Sequence, residues 1–141
     1  MRKLILASGS PRRKEILERE GYVFDIIPSD KESVNKANVS PEKFAMRCAL
    51  DKTEDVYATH AKGNGAVVLG ADTVVAVDGR ILGKPHSYEE AFDMIKLIRG
   101  REHNVITGVD IIGKDREVCF SEVTGVRVYP MSDEEIEEYL S

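Results

Sequence analysis

The segment Ser8-Gly9-Ser10-Pro11-Arg12-Arg13 places two arginines at the predicted start of a helix. Ser10 and Pro11 are typical of a helix cap and of the first helical position. The free N–H groups at this end carry partial positive charge, so two guanidinium groups are unfavourable there unless an anion binds. Hydroxyls, backbone N–H groups and arginines together predict a phosphate site. The alternative is a capped surface helix whose arginines are solvated.

Asp72 stands between two apolar segments, residues 67–69 and 74–77, that predict two separate strands. A carboxylate at this point is either a turn residue or a ligand of a hard divalent ion. Mg²⁺ in particular takes one or two carboxylates together with substrate phosphates. Glu32, in the polar segment 28–39, is either a second metal-side carboxylate or an ordinary loop residue.

Two lysines are candidates for neutralising phosphate charge. Lys52 lies on the apolar stripe of a predicted helix with Phe44 and Cys48, where it either extends to solvent or faces a buried anion. Lys84 ends a segment that is similar to a P-loop, but the segment is too short and proline replaces its Ser or Thr. Lys84 is therefore a point charge for a phosphate or a solvated loop residue. The combined hypothesis is that phosphates are bound by Arg12, Arg13, Lys52 and Lys84, while Asp72 handles metal or water.

The elements that carry these residues alternate between strands and helices. The predicted strands cover residues 4–7, 22–27, 66–69, 73–77, 80–82, 104–112 and 117–129, and the predicted helices begin after Ser10, Ser40, Ser87 and Ser132. Turn residues at 78–79 and 113–115 predict hairpins, and Gly108 predicts a break in its strand. Ser87 and Ser132 each precede a glutamate by three residues, which predicts capping boxes. The pattern indicates an α/β fold with a mixed central β-sheet flanked by helices.

The composition is that of an ordinary globular chain. Its 141 residues are 42% hydrophobic and 32% charged, and the net charge of −5 argues against non-specific nucleic-acid binding. Cys48 and Cys119 lie far apart without a His/Cys cluster, which predicts reduced thiols and no zinc site. No apolar run approaches the roughly 20 residues of a membrane helix. We therefore expect a cytoplasmic chain without nucleic-acid or membrane partners.

Four segments in order along the whole chain closely resemble the Maf family of nucleoside triphosphate pyrophosphatases: LILASGSPRRKEIL, GADTVVAVDGRILGKP, IRGREHNVITGV and SDEEIEEYL. The resemblance implies a fold related to the inosine-triphosphate pyrophosphatases, with a nucleotide cleft between two lobes. It implies cleavage between the α and β phosphates with a divalent metal, usually Mg²⁺. It also implies one Maf-like domain over residues 1–141 that lacks the C-terminal part of the family fold. Family members are often homodimers, so we expect one here.

The resemblance also assigns roles to individual residues. It implies that Asp72 is the catalytic acidic residue, as proton acceptor or metal ligand, and that Glu32 matches a second acidic position. Arg12 and Thr73 look like those of the subgroup that acts on dTTP and UTP. The family's phosphate-site positions are matched by Ser8, Arg12, Arg13, Lys52 and Lys84. Two other functions stay open, a non-catalytic nucleotide-binding regulator of septum formation and a nucleotidyltransferase.

Overall fold

The structure is a computed structural model that describes residues 3–29, 39–83 and 85–141. Glu32 and Lys84, two of the predicted site residues, lie outside these ranges. The described elements are, in order, β1 (Leu4–Leu6), α1 (Pro11–Arg19), β2 (Asp25–Ile26), α2 (Pro41–Val56), a π-helical turn (Tyr57–Ala61), β3 (Val67–Val77), β4 (Arg80–Leu82), α3 (Tyr88–Ile98), β5 (Glu102–Ile112), β6 (Glu117–Arg127) and α4 (Asp133–Leu140).

The six strands form one mixed sheet in the order β2-β1-β3-β5-β6, and β4 pairs with β3 outside this path. β1 is parallel to both of its neighbours, whereas β3, β4, β5 and β6 pair antiparallel. The predicted mixed sheet is therefore confirmed. The strand predicted at 22–27 is wrong in extent, because only Asp25–Ile26 pairs with β1.

β3 is one continuous strand of 11 residues, so the break predicted around Asp72 is wrong. β5 is equally continuous through Gly108, and the two strands pair from Val68↔Ile112 to Ala76↔Asn104. Gly70 and Gly108 are places where α2 lies against the sheet. A Cβ atom on Gly108 would overlap the backbone of Ala45. Their role is close approach of a helix, which leaves the strand unbroken.

The core lies between α2 and the sheet, chiefly against β3 and β5. Near the end of α2 it contains Ile5, Ala7, Val56, Ala61, Ala66 and Val68. Near the start of α2 it contains Phe44, Ala45, Cys48, Val74, Ala76 and Ile106. α3 packs against α4 away from this core. No helix in the described ranges is both long and apolar enough to cross a membrane.

All four predicted helix starts are confirmed by their caps. A serine precedes each helix, and its hydroxyl accepts the backbone N–H three residues later, at Ser10, Ser40, Ser87 and Ser132. The capping box at Ser132 is complete. The one predicted at Ser87 is wrong, since the Glu90 carboxylate accepts the N–H of His86 instead. The hairpin turn at 78–79 is confirmed by positive φ angles at both residues, 53° and 76°.

Candidate functional site

One edge of β3 is left without a strand neighbour over residues 70–74. β1 pairs with β3 only as far as Leu69, and β4 begins to pair with it at Val75, while β5 occupies the opposite edge throughout. Among the described strands, none covers the gap between β1 and β4. We call this gap the β3 notch. Asp72 and Thr73 lie in its middle.

Asp72 forms an ion pair with Lys52 of α2. The Lys52 Nζ lies 3.1 Å from the Asp72 Oδ1, and each side chain is 23% exposed. Asp72 lies in a strand, so its interpretation as a turn residue is wrong. Lys52 lies beside the apolar face of α2. The buried anion that the sequence predicted as its alternative partner is the Asp72 carboxylate. The pair is half-buried and stays open to a ligand at the notch.

Arg13 approaches the notch from α1 and is held at both ends of its guanidinium group. Its Nη1 donates to the Ser8 Oγ at 3.3 Å, and its Nη2 donates to the Thr73 Oγ1 at 2.6 Å. Partial burial lowers the pKa of Arg13, and the negative charge of Asp72 opposes that shift. The group stays a cation, and its remaining N–H donors are available to a ligand.

The loop between β1 and α1 is arranged by the same hydroxyls. The Ser8 Oγ accepts the N–H of Ser10 at 3.3 Å, and the Ser10 Oγ accepts the N–H of Arg13 at 3.4 Å. Ser8 is 8% exposed, so its hydroxyl is fixed between the loop and the Arg13 side chain. The Ser-Gly-Ser-Pro segment thus both starts the helix and orients the arginine three residues later.

Neighbouring residues of β3 serve opposite sides of the sheet. Side chains alternate along a strand, so Asp72 faces α2 and Lys52, while Thr73 faces α1 and Arg13. Thr73 also meets Thr107 of β5, with 3.0 Å between the two Oγ1 atoms. Sequence reasoning missed Thr107, because only the β3–β5 register brings it opposite Thr73.

The structure brings together five of the predicted residues: Ser8, Arg13, Lys52, Asp72 and Thr73. Arg12, the second residue of α1, is exposed and has no hydrogen bond or ion pair to another described residue. Its side chain is therefore not part of this cluster. The predicted places of Glu32 and Lys84 in the site stay predictions, since both lie outside the described residues.

The donor set at the notch suits a metal that binds together with substrate phosphates. Within the described ranges, no three His, Cys, Asp or Glu side chains lie close enough to hold a metal by themselves. Asp72 is a single hard oxygen donor at an open edge, and Mg²⁺ is commonly held by one or two carboxylates plus phosphate oxygens. These residues fit a metal of that kind and do not form an all-protein cage.

Comparison with known proteins identifies relatives along the whole chain. Residues 3–141 match the family model described as Maf-like protein. The chain is 47% identical over 141 residues to the dTTP/UTP pyrophosphatase of Bacillus mycoides (strain KBAB4), covering all of this chain and 72% of the relative. It is 45% identical to the protein of the same name from Bacillus cereus (strain ATCC 10987 / NRS 248), covering 68% of that relative.

Solved structures with the same fold are more distant in sequence. The Staphylococcus aureus Ham1 protein superposes with a TM-score of 0.58 at 15% identity, over 89% of this chain and 71% of that one. The nucleoside-triphosphatase / dITP/XTP pyrophosphatase of Mycobacterium abscessus gives a TM-score of 0.51 at 16% identity, over 87% of this chain and 72% of that one. These likenesses support the fold, and the family model with the close relatives establishes kinship: the chain belongs to the Maf family.

Proposed function

We propose that the chain is a nucleoside triphosphate pyrophosphatase that hydrolyses dTTP and UTP to the monophosphate and pyrophosphate. The observation that carries the proposal is that two consecutive residues of the β3 notch each hold a cation, Asp72 pairing with Lys52 and Thr73 accepting from Arg13. The substrates are those in the names of relatives at 45–47% identity. Two cations and one carboxylate at an open strand edge are the groups that triphosphate hydrolysis requires.

Arg13 and Lys52 have different parts in binding the triphosphate. The planar guanidinium of Arg13 presents a fork that matches two phosphate oxygens, and Ser8 and Thr73 fix its direction. Lys52 is a point charge already directed into the notch by Asp72. Arg12 and Lys84 add positive charge in this proposal, on the strength of the family resemblance. Together they neutralise the oxygens on which charge builds during phosphoryl transfer.

Asp72 orients the attacking water or holds the metal. Taking a proton would cost its carboxylate the ion pair with Lys52, so we assign it a positioning and binding role. Mg²⁺ held by Asp72, with Glu32 as the predicted second carboxylate, supplies neutralising charge beside the phosphates when bound. In the net reaction, water adds across the α–β anhydride bond, pyrophosphate leaves, and a proton passes to solvent.

The proposal includes the setting in which the chain acts. It is one Maf-like domain that acts in the cytoplasm, and its partner is the nucleotide, with no nucleic acid and no membrane. The net charge of −5 supports the exclusion of nucleic acid, because a protein that binds a nucleic acid without sequence specificity needs many cations to neutralise its phosphates. A homodimer, as implied by the family resemblance, is part of the proposal, and light scattering coupled to size-exclusion chromatography measures it.

The test is pyrophosphate release from dTTP, UTP, CTP and 7-methyl-GTP with Mg²⁺. The wild-type chain should release pyrophosphate from dTTP and UTP, and Asp72→Ala should lose that activity. Lys14→Ala, which removes an exposed cation of α1 outside the cluster, is the matched control and should stay active. Nucleotide binding without any release would overturn the proposal in favour of a non-catalytic regulator.

Chelation tests the place of the metal in the reaction. EDTA should abolish pyrophosphate release, and Mg²⁺ should restore it. The same treatment should leave the melting temperature of the nucleotide-free protein unchanged, because the described residues form no cage for a resident metal. A large fall in the melting temperature on chelation would contradict a metal that binds only with the substrate.

A further inference from the structure

We propose that Thr107 is a positioning residue of the phosphate site, which holds the guanidinium of Arg13 through the hydroxyl of Thr73. The inference rests on the proposed function, since Arg13, the residue that Thr107 would position, is proposed there to bind the triphosphate. Its basis is a continuous line of contacts from Arg13 to Thr73 at 2.6 Å and from Thr73 to Thr107 at 3.0 Å. Thr107 itself has no direct hydrogen bond to Arg13 among the described contacts.

The direction of the hydrogen bonds follows from the chemistry of the groups. Arginine can only donate, so the Thr73 Oγ1 is the acceptor of the Nη2 hydrogen. The hydrogen of the Thr73 hydroxyl is then free to point to the Thr107 Oγ1. In that arrangement Thr107 fixes the rotation of the Thr73 hydroxyl, and a lone pair stays directed at Arg13. Loss of the Thr107 hydroxyl would release that rotation.

The two ends of the guanidinium are held by supports of different kinds. Nη1 is bound to Ser8, which belongs to the loop between β1 and α1. Nη2 is bound to Thr73, whose strand is paired with β5 on both sides of the contact, from Val68 to Ala76. Thr107 lies directly opposite Thr73 in that register. The paired strands therefore hold the Thr73 backbone in place, and Thr107 holds the Thr73 hydroxyl that accepts from Arg13.

Kinetics of Thr107→Val and Thr107→Ser test this role. Valine keeps the shape and removes the hydroxyl, so the KM for dTTP should rise about fivefold, the scale of one neutral hydrogen bond, with kcat within about twofold. Serine keeps the hydroxyl and should restore the KM. Thr124→Val is the matched control. Thr124 is an exposed threonine of β6 that pairs with Val105 of β5, so its side chain lies on the same face of the sheet as that of Thr107. An unchanged KM in Thr107→Val would overturn the inference.

A measurement on Arg13 itself separates this inference from the proposed function. In nuclear magnetic resonance spectra, hindered rotation of the Arg13 guanidinium should give resolved Nη signals in the wild type and in Thr107→Ser. Thr107→Val should average those signals, whether or not the protein hydrolyses a nucleotide. If the Nη signals average in Thr107→Val but the wild type releases no pyrophosphate, the positioning role is supported and the proposed function is wrong. Unchanged signals in Thr107→Val would overturn the positioning, even in an active enzyme.

Discussion

Asp72 and Thr73 are consecutive residues of β3 that contact opposite sides of the sheet, Asp72 meeting Lys52 and Thr73 meeting Arg13. Lys52 belongs to α2 and Arg13 to α1, so one strand joins cations from two helices. The candidate site therefore depends on the pleat of β3 as much as on either helix.

The ion pair between Lys52 and Asp72 should contribute both to stability and to activity. Its atoms are half-buried and 3.1 Å apart, so a double-mutant cycle with Lys52→Met and Asp72→Asn should give a coupling of about 1 kcal/mol in the free energy of unfolding. Pyrophosphate release should fall in both single variants. Urea denaturation and a release assay measure the two effects. Strictly additive losses of stability would show that the pair contributes nothing to folding.

Arg13 should matter more than Arg12 for nucleotide binding. Arg13 is fixed by two hydroxyls in the notch, whereas Arg12 is exposed and outside the cluster. Loss of a charge-assisted contact predicts that Arg13→Ala weakens dTTP binding by about ten- to a hundredfold. Arg13→Lys should recover only part, since lysine lacks the planar fork. Titration calorimetry of both alanine variants provides the comparison, and an equal or larger loss in Arg12→Ala would contradict it.

Asp110 should make the protein less stable as the pH rises from about 4 to about 6. Its side chain is fully buried, and among the described residues the weakly donating Cys119 thiol is the group that faces its carboxylate, with no stronger hydrogen bond to either oxygen. Its pKa is raised from 3.8 to about 6, chiefly by burial and also by the charges of Glu117 and Glu54, against a partial offset from the Cys119 thiol. The unfolded chain therefore loses its proton first, and stability falls until both states are ionised.

Asp110→Asn measures that contribution. At about 1.4 kcal/mol per pKa unit, the shift amounts to roughly 3 kcal/mol, lost between about pH 3 and about pH 7. The difference in unfolding free energy between variant and wild type should grow over that range and then stay constant. Urea denaturation at a series of pH values gives the profile. A difference that does not vary between pH 4 and pH 7 would mean that Asp110 has an ordinary pKa in the folded protein.

Gly108 should be intolerant of a side chain, because a Cβ atom there overlaps the backbone of Ala45 in α2. Gly108→Ala should destabilise the protein by about 1–3 kcal/mol, the usual cost of overpacking, and displace α2 with Lys52. Gly113→Ala is the matched control, since its nearest neighbour would be an ordinary contact at 3.7 Å. Thermal melts of the two variants make the comparison. Equal melting temperatures would show that α2 can move away without cost.

Local sequence signals predicted the parts of the fold that depend on a few adjacent residues. The serine caps and the Asp78-Gly79 turn are of this kind, because each is decided within about four residues. The continuity of β3 and β5 was not predictable in this way. Gly70 and Gly108 are equally compatible with a strand break and with close contact to a helix, and only the packing of α2 decides.

In the candidate site, too, the residues that local sequence predicts differ from those that depend on strand pairing. Ser8 and Arg13 were identified from one short segment, and the helix that it starts places them together. The partner of Thr73 depends on the register of an antiparallel pair whose members are 34 positions apart. A single sequence carries no direct signal of that register. For this reason Thr107 could be identified as a site residue only from the register of β3 and β5 in the structure.

The uninterrupted pairing of β3 with β5 also determines which kinds of genetic change this site can survive. A substitution at one position alters one contact, whereas inserting or deleting one residue between 68 and 72 would exchange the faces of all side chains beyond it. Asp72 would then turn away from Lys52, and Thr73 would turn away from Arg13. In an insertion and deletion scan, activity should therefore disappear throughout this strand, while the turn at residues 113–115 should accept changes of length.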